Sequence, residues 1–411
     1  MHHVRARCRA CGARALEKFL SLGEVALANA FLASPDEIAG ERRYPLEVYL
    51  CRSCGLVQLA DVIDPEVLFK NYLYVTGTSD TIAAHNRAYA AAVVELARLG
   101  PRDLVVEVAS NDGSLLRCFR DLGVRVLGVE PAVNIAARAT AAEVPTANRF
   151  FDLEAAAALR GEHGPARVVI GNNVLAHVDE PVDLLAAAGG LIEPEGFVIT
   201  EVPELSEFVA RLEYDTVYHE HLSYFSVSTL MRVYQEAGLR LERVERVPVH
   251  GGSVRAIGRA AEVLREHAGA VRALAEAERA AGLTSLARFE RFARDVEAQR
   301  AALLALLGGL KAEGRALAGY GAPAKGNTLL EYCGIGPELL PYTVDKSPLK
   351  VGRLTPGRHI PVLPVETLLE RQPDYVLILA WNFAEEIVRQ QAEYARRGGR
   401  FIVPIPEPKV L

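Results

Sequence analysis

Apolar runs alternate with amphipathic stretches through the middle of the chain, which is the pattern of a β/α fold. Helical periodicity over 85–99 precedes the first apolar run, and a second helical stretch, 114–122, follows it. Because strands and helices alternate, we expect a parallel, doubly wound, Rossmann-like sheet. The buried strands of this sheet are predicted over 103–108, 125–130, 168–171 and 196–201.

A second β/α pattern begins close to residue 315. The segment 315–320 is predicted to be a strand, 321–326 a turn, and 327–333 a helix. Between the two β/α regions, 262–314 is charged and helical in pattern, with few helix breakers until its end. We therefore expect a helical connector and then a smaller C-terminal Rossmann-like domain. Its further strands are predicted over 342–345, 374–380 and 401–404.

Two CxxC pairs stand near the N-terminus, each directly followed by glycine. Four thiolates on two tight turns suit tetrahedral Zn²⁺, and no further ligand nearby leaves a closed, structural site. Two redox-active CxxC motifs are the alternative. The four predicted ligands are Cys8, Cys11, Cys51 and Cys54.

These patterns divide the chain of 411 residues into four parts. We expect a zinc-binding module over 1–70, a doubly wound α/β domain over 71–260, a helical connector over 261–313 and a second α/β domain over 314–411. A net charge of −6 gives no sign of a nucleic-acid partner. The sequence has no membrane-spanning stretch and no apolar signal core at its start, so a cytoplasmic protein without a membrane partner is expected.

The first βα turn, 107–113, indicates which nucleotide the middle domain binds. A dinucleotide site needs the glycines of G-x-G-x-x-G, whereas this turn has only Gly113. Glu130 ends the second strand, where a carboxylate can accept hydrogen bonds from both ribose hydroxyls. Asn172 and Asn173 end the third strand. A nucleoside without phosphates fits best, which indicates S-adenosylmethionine rather than NAD.

The run Tyr218-His219-Glu220-His221 places four proton-handling side chains in consecutive positions. A site that removes a proton from carbon needs a base that titrates near neutrality and donors for the resulting anion. A polar network that closes a buried loop is the structural alternative. In a helical turn Tyr218 and His221 share a face, whereas in an extended segment Tyr218 and Glu220 do.

Besides the paired CxxC motifs, seven segments carry a resemblance to a known family: 107–113, 128–131, 172–177, 218–221, 249–252, 319–322 and 380–382. In these segments the chain resembles the zinc-containing sugar C-methyltransferases that act on nucleotide-linked 4-keto-deoxysugars. The resemblance covers nearly the whole chain and implies a methyltransferase domain over 71–260, carbon methylation with S-adenosylmethionine, a structural Zn²⁺, and a nucleotide-sugar substrate linked to TDP. We expect a monomer or a weak homodimer.

The resemblance also implies roles for individual residues. His221 is expected to be the base, with Glu220 orienting it and Tyr218 donating to the enolate oxygen. His177 is expected near the reacting sugar, and Tyr72 on the segment after the zinc module, where Tyr74 is an alternative counterpart. The expected cofactor-binding residues are Glu107, Ala109, Asn111, Asp112, Gly113, Glu130, Pro131, Asn172 and Asn173. The expected substrate-binding residues are Tyr74, His250, Arg255, Tyr320, Lys325, Arg353 and Asn382.

Three other functions compete with carbon methylation. An O- or N-methyltransferase acting on a sugar needs one base but no enolate. It would therefore not explain why the run 218–221 offers a tyrosine and a glutamate as well as histidines. An NAD-dependent sugar epimerase or dehydrogenase needs the glycine-rich turn that 107–113 lacks. A module that only binds a nucleotide sugar needs no base at all.

Overall fold

The computed structural model describes residues 2–69, 80–249 and 251–411, with the side chains of 69, 80 and 81 left out. No helix in these ranges combines the length and the apolar character needed to cross a bilayer.

The N-terminal module is built on antiparallel strands. Its four-stranded sheet has the order β11-β4-β3-β2, and β1 pairs separately with β5. The edge strand β11, Ser223–Tyr224, comes from the middle of the chain and pairs antiparallel with β4. The chain that follows His221 is therefore part of the N-terminal sheet. The module's own elements are β1 His2–Val4, β2 Leu16–Ala26, β3 Arg43–Cys51, β4 Val57–Leu59, β5 Asp61–Ile63 and α1 Pro65–Phe69.

A seven-stranded sheet forms the middle domain, with the order β12-β13-β10-β9-β6-β7-β8. The five strands from β10 to β8 are parallel. Four of them, β6, β7, β9 and β10, were predicted as strands of a parallel sheet, and they are largely apolar because helices cover both faces of the sheet. The short strand β8 and the antiparallel strands β13 and β12, which extend the sheet, were not predicted. The strands are β6 Leu104–Val108, β7 Arg125–Val129, β8 Thr146–Ala147, β9 Ala166–Asn172, β10 Ile192–Pro203, β12 Leu239–Val247 and β13 Ser253–Ala260. The helices are α2 Asp80–Ala97, α3 Ser114–Asp121, α4 Val133–Ala141, α5 Leu153–His163, α6 Pro181–Leu191, α7 Leu205–Ala210 and α8 Val227–Glu236.

The predicted helical connector consists of two helices, α9 Gly269–Ala280 and α10 Leu286–Ala312. A turn separates them, in which Gly282 has a φ of 81° that an L-residue rarely adopts. The long helix α10 buries Phe289, Phe292 and further apolar residues along one face. This stripe packs against the sheets of the modules before and after it.

The C-terminal domain has a six-stranded sheet of order β16-β15-β14-β17-β18-β19, parallel except for β19. The predicted fold class, a zinc-binding module followed by two Rossmann-like α/β domains, is thereby confirmed. The strands are β14 Leu317–Tyr320, β15 Thr343–Val344, β16 Val362–Leu363, β17 Tyr375–Ile378, β18 Arg400–Val403 and β19 Lys409–Val410. The helices are α11 Ala324–Cys333, α12 Thr367–Arg371, α13 Ala384–Gln390 and α14 Ala392–Arg396.

One hydrophobic cluster connects all these parts. It includes Leu46 of β3, Phe208 of α7, Phe289 of α10 and Leu377 of β17, each at most 3% exposed. Separating the modules would expose this apolar surface to water, which is unfavourable in proportion to its area. The shared core therefore holds the modules in one arrangement around the cleft between them.

Candidate active site

A cavity of about 470 Å³ lies at the carboxyl ends of the parallel strands of the middle domain. Ligands of doubly wound sheets bind at this edge because the loops that follow neighbouring strands meet there. The cavity extends to the other modules, since Asn29 of the N-terminal module and Lys325, Lys350 and Asn382 of the C-terminal domain also line it. A ligand in this cavity would touch all three modules.

The turn after β6 is held in an unusual backbone conformation. Ala109, Asn111 and Gly113 have φ values of 53°, 48° and 72°, and the first two line the cavity. Left-handed conformations of non-glycine residues cost energy and cluster at binding sites. Gly128 makes room for this turn, because a Cβ there would lie 2.4 Å from Ser110 Oγ.

Asp112 and Gly113 shape the same turn without lining the cavity. Asp112 Oδ1 accepts a hydrogen bond from the backbone N–H of Ser114 at 3.2 Å. Gly113 precedes α3, and a Cβ there would meet Val144 at 2.9 Å. We infer that both predicted cofactor residues act by fixing the backbone of the turn.

Glu130 stands at the end of β7 and lines the cavity beside Pro131. Its two carboxylate oxygens accept hydrogen bonds from the backbone N–H groups of Asn111 (3.0 Å) and Ala132 (2.9 Å). Burial raises the pKa of Glu130, and these two N–H groups oppose the rise. The carboxylate is thus fixed at the site where a ribose is expected, and each oxygen retains a lone pair for a hydroxyl.

Glu107 lines the same cavity and is buried. Burial raises its pKa well above the ordinary value, and the negative charges of Asp112 and Glu130 add to the rise. Its Oε2 has no hydrogen-bond partner among the described residues. A buried acceptor of this kind favours a ligand that brings a cation or a donor.

An aromatic pair that the sequence did not reveal lines the same end of the cavity. Phe150 and Phe151 follow β8, and Phe150 is 48% exposed. Arg149 lines the cavity beside them. Flat aromatic faces beside the carboxylate of Glu130 can stack on a nucleoside base. The signal was missed because β8 has only two residues, too few for an apolar pattern.

The two asparagines at the end of β9 both line the cavity. Asn172 accepts a hydrogen bond from the buried Tyr89 hydroxyl at 3.3 Å. Asn173 has a φ of 54°, and its backbone N–H donates to the Glu201 carbonyl at 2.7 Å. These contacts fix both residues at the edge of the sheet.

Arg255 is not among the residues that line the cavity, although it was predicted to bind substrate. The register of β13 against β10 places it directly opposite Glu201, to which its guanidinium donates at 3.0 and 3.1 Å. His85 Nε2 donates to the other oxygen of Glu201 at 2.9 Å. Burial raises the pKa of Glu201, but the pairing with His85 and Arg255 holds it below its ordinary value. Arg255 therefore compensates a buried carboxylate, while His85, which was not predicted, reaches the cavity.

The predicted proton-handling run forms a tight turn, in which the His221 N–H donates to the Tyr218 carbonyl at 2.8 Å. Tyr218 and His221 therefore face each other, with Tyr218 Oη 2.7 Å from His221 Nε2. His221 Nδ1 lies 2.8 Å from the Thr216 carbonyl oxygen, which can only accept, so Nδ1 carries a hydrogen. Neutral His221 then has its lone pair on Nε2, where it accepts from the Tyr218 hydroxyl.

His177 completes this group of cavity-lining side chains. Its ring lies 4.7 Å from the ring of His221, at an interplanar angle of 85°. Burial lowers the pKa of His177 to about 4, so that the ring is neutral at physiological pH.

The two middle residues of the turn face the N-terminal module. His219 Nε2 donates to the Pro45 carbonyl at 3.1 Å, and burial lowers the pKa of its imidazole. Glu220 is 3% exposed and accepts a hydrogen bond from Asn29 Nδ2 at 2.7 Å. Glu220 is thus beside the cavity and not among the residues that line it.

On the C-terminal side, the cavity is lined by Lys325 and Asn382, two predicted substrate residues, and by Lys350, which was not predicted. Lys325 occupies the first turn of α11, and its Nζ lies 5.4 Å from the centre of the Trp381 ring. Lys350 Nζ donates to the Ala322 carbonyl at 2.8 Å. Burial lowers the pKa of Lys350, and the charges of Asp345 and Glu220 oppose this.

Two predicted substrate residues of this domain lie away from the cavity lining. Tyr320 is 4% exposed and packs in the core of the C-terminal sheet, and burial raises its pKa to about 12. Arg353 follows Lys350 in a turn whose backbone pairs with Val362. Three further predicted residues, Tyr72, Tyr74 and His250, lie outside the described residues.

The four predicted zinc ligands come together in the N-terminal module, with all sulfur atoms within 4.8 Å of one another. The two CxxC turns have the same backbone hydrogen bond. The N–H of Gly12 donates to the Cys8 carbonyl at 2.9 Å, and the N–H of Gly55 donates to the Cys51 carbonyl at 2.8 Å. Sulfur separations of 3.5 Å for Cys8–Cys54 and 3.7 Å for Cys11–Cys51 suit a tetrahedral ion with metal–sulfur bonds of about 2.3 Å. The donor set fits Zn²⁺ and leaves no open position.

Comparison with known proteins gives three family matches along the sequence. Residues 8–69 match a zinc binding domain, residues 82–244 a methyltransferase domain, and residues 248–406 the C-terminal domain of C-methyltransferases. The chain is 39% identical over 404 residues to the C-methyltransferase NovU of Streptomyces niveus. The alignment covers 98% of this chain and 96% of that protein.

Two solved structures that resemble the chain each match less than half of it. The CcbJ methyltransferase from Streptomyces caelestis is 20% identical, with a TM-score of 0.34, and the match covers 43% of this chain and 89% of that one. Magnesium protoporphyrin IX methyltransferase from Synechocystis PCC 6803, with bound S-adenosylmethionine, is 14% identical, with a TM-score of 0.33 and coverages of 44% and 82%. At these scores the structural likeness carries no argument.

Proposed function

The chain belongs to the zinc-binding, S-adenosylmethionine-dependent C-methyltransferases, and from this premise we propose that it methylates a ring carbon next to the ketone of a nucleotide-linked 4-keto-deoxysugar. The observation that carries the proposal is the position of His221. Together with Tyr218 and His177, His221 lines the same cavity as the turn after β6, where the cofactor is expected. A base, an oxyanion donor and a methyl donor can therefore act on one bound molecule.

Bound S-adenosylmethionine supplies an electrophilic methyl group on a sulfonium. The described residues fit the rest of this ligand. Glu130 is fixed for the ribose hydroxyls, Phe150 and Phe151 present faces for the base, and the carboxyl of Glu107 can receive a cationic group. Alignment of the donor and exclusion of water are then the main contributions of the protein to the transfer.

Proton removal from the sugar carbon is assigned to His221. Because the Thr216 carbonyl fixes the hydrogen on Nδ1, the lone pair of Nε2 is the one that faces Tyr218 and the cavity. When Nε2 takes the proton, the imidazolium remains stabilised by the bond from Nδ1 to that carbonyl. The Tyr218 hydroxyl, released from Nε2, can donate to the enolate oxygen as its charge develops.

His177 is proposed as a second donor to the keto oxygen. With its pKa lowered to about 4, it can polarise the carbonyl as a neutral imidazole without competing with His221 for the proton. The edge-to-face arrangement of the two rings allows both to reach one substrate from different sides.

The C-terminal side of the cavity suits the nucleotide part of the substrate. Lys325 lies in the first turn of α11, where backbone N–H groups and the helix dipole favour anions. The ammonium of Lys350 and the amide of Asn382 line the same side. These cationic and donor groups support binding of a diphosphate, and thus of a nucleotide-linked sugar.

Incubation with a 4-keto sugar nucleotide in heavy water, without methyl donor, tests the proposal. Deuterium should enter the carbon next to the ketone, and His221→Asn should abolish this exchange. Tyr218→Phe should slow it, because the enolate loses a donor, by about 10²-fold. If the wild-type enzyme turns over the complete mixture yet shows no exchange, a mechanism without an enolate, such as methylation at oxygen, would replace the one proposed.

A further inference from the structure

The turn 218–221 makes several of its contacts with the N-terminal module, and these give the module a second role besides binding metal. His219 contacts the Pro45 carbonyl, and the Leu222 carbonyl accepts from the Leu59 N–H at 3.0 Å and from Arg9 Nη1 at 3.2 Å. Immediately after the turn, β11 pairs with β4. The side chains that line the cavity therefore depend on contacts with residues more than 150 positions earlier in the sequence.

Asn29 makes the contact nearest to the cavity. Its amide lines the cavity and donates from Nδ2 to Glu220 Oε1 at 2.7 Å. A hydrogen bond to a carboxylate is stronger than one between neutral groups. Because Glu220 is 3% exposed, bulk water cannot replace the amide as its donor.

The segment that carries Asn29 is itself fixed from the C-terminal side. The Ala28 carbonyl accepts from the buried Asn327 Nδ2 at 2.8 Å. Leu32 and Leu354 exchange backbone hydrogen bonds of 3.1 and 2.9 Å. Since both flanks are anchored, the amide of Asn29 can transmit the position of the C-terminal domain to the catalytic turn.

We propose that Asn29 is a positioning residue for the methylation reaction, which acts through Glu220 to hold the turn that presents Tyr218 and His221. This inference rests on the proposed function. Asn29 itself touches neither the reacting carbon nor the cofactor in this assignment. Its loss should therefore lower the rate of proton removal while leaving cofactor binding intact.

Two substitutions separate hydrogen bonding from shape. Asn29→Ala removes the amide, and Asn29→Asp keeps its shape but replaces the N–H donor with a carboxylate oxygen that repels Glu220. Both should slow deuterium exchange and methylation by about 10- to 100-fold, the effect of losing a hydrogen bond to a charged group. The KM for S-adenosylmethionine, the Kd for S-adenosylhomocysteine and the zinc content should stay at wild-type values. Lys18→Ala, which removes an exposed ion pair of the same module, is the matched control and should leave all these quantities unchanged.

A double-mutant cycle tests whether Asn29 works through Glu220. In a Glu220→Met background, Asn29→Ala should change the exchange rate by less than about threefold, because the shared interaction is already lost. Fully multiplicative effects, or wild-type exchange in Asn29→Asp, would overturn the inference. Absence of exchange in the wild-type enzyme would instead refute the proposed function, so the two failures are distinguishable. Parallel loss of S-adenosylhomocysteine binding and zinc in the Asn29 variants would show a structural role only, and would also overturn the inference.

Discussion

Replacing Glu213 with Gln tests whether a buried carboxyl group with a raised pKa makes the stability of the protein depend on pH. Glu213 is 1% exposed, and burial raises its pKa to about 7. The ammonium of Lys325 opposes the rise, and the buried carboxylate of Asp215, which accepts a hydrogen bond from Trp381 Nε1 at 2.6 Å, adds to it. The folded protein therefore holds a carboxyl group that titrates close to neutrality.

The sign and size of the effect follow from proton linkage. Between about pH 4.5 and about pH 7 the folded chain keeps the Glu213 proton that the unfolded chain has lost. The folded state binds more protons in this window, so the free energy of unfolding falls as the pH rises through it. A change in pKa from 4.5 to about 7 corresponds to about 3 kcal/mol, at roughly 1.36 kcal/mol per pKa unit.

Thermal unfolding of wild type and Glu213→Gln, each at about pH 5 and about pH 8, measures the effect. The two proteins should be similarly stable at the lower pH, where the carboxyl is protonated and resembles the amide. At the higher pH the variant should be the more stable protein, by up to about 3 kcal/mol. Adding Lys325→Met should enlarge the difference, because the ammonium that opposes the rise in pKa is removed. A stability difference that is the same at both pH values would refute the reasoning.

Three further predictions concern the catalytic turn and the zinc module. His221→Asn should abolish turnover while the affinity for S-adenosylhomocysteine, measured by calorimetry, stays unchanged; loss of both would show that the histidine is structural. Zinc chelation, or Cys51→Ser, should lower the folded fraction more than the activity per folded molecule; an inert but well-folded metal-free enzyme would contradict a structural metal. Arg9→Met should lower the free energy of unfolding by about 1 to 3 kcal/mol, because the buried guanidinium donates to Asp179 and to the Leu222 carbonyl, while Asp179 keeps its ion pair with Arg5. Denaturant titration of Arg9→Met measures this loss, and a wild-type midpoint would contradict it.

Four of the five parallel strands of the middle domain could be predicted because each is an apolar run, whereas the fifth, Thr146–Ala147, is too short to show a pattern. The antiparallel strand Leu239–Val247 could not, since it alternates hydrophobic residues with Arg and Glu in the way a surface helix also can. The neighbouring antiparallel strand Ser253–Ala260 was not predicted either, and without it nothing in the sequence indicates that Arg255 stands opposite the buried Glu201.

Site residues at strand ends could be predicted from the sequence, because the carboxyl ends of parallel strands meet at one edge of the sheet. Glu130 and Asn172 were found in this way and line the cavity. Asn29 could not be found, since its partner Glu220 lies 191 positions further along the chain. Lys350 was missed for the same reason, because only the packing of the C-terminal domain brings it to the cavity. Tyr320, which was predicted to bind substrate, ends its strand on the core side of the sheet.

The nature of the bond formed to the transferred methyl group tests the central claim most directly. The enzyme can be supplied with S-adenosylmethionine carrying a ¹³C-labelled methyl group and with a 4-keto sugar nucleotide, and the product examined by NMR. We expect the labelled methyl to couple to a ring carbon next to the ketone. A labelled methyl attached to oxygen or nitrogen would contradict the account.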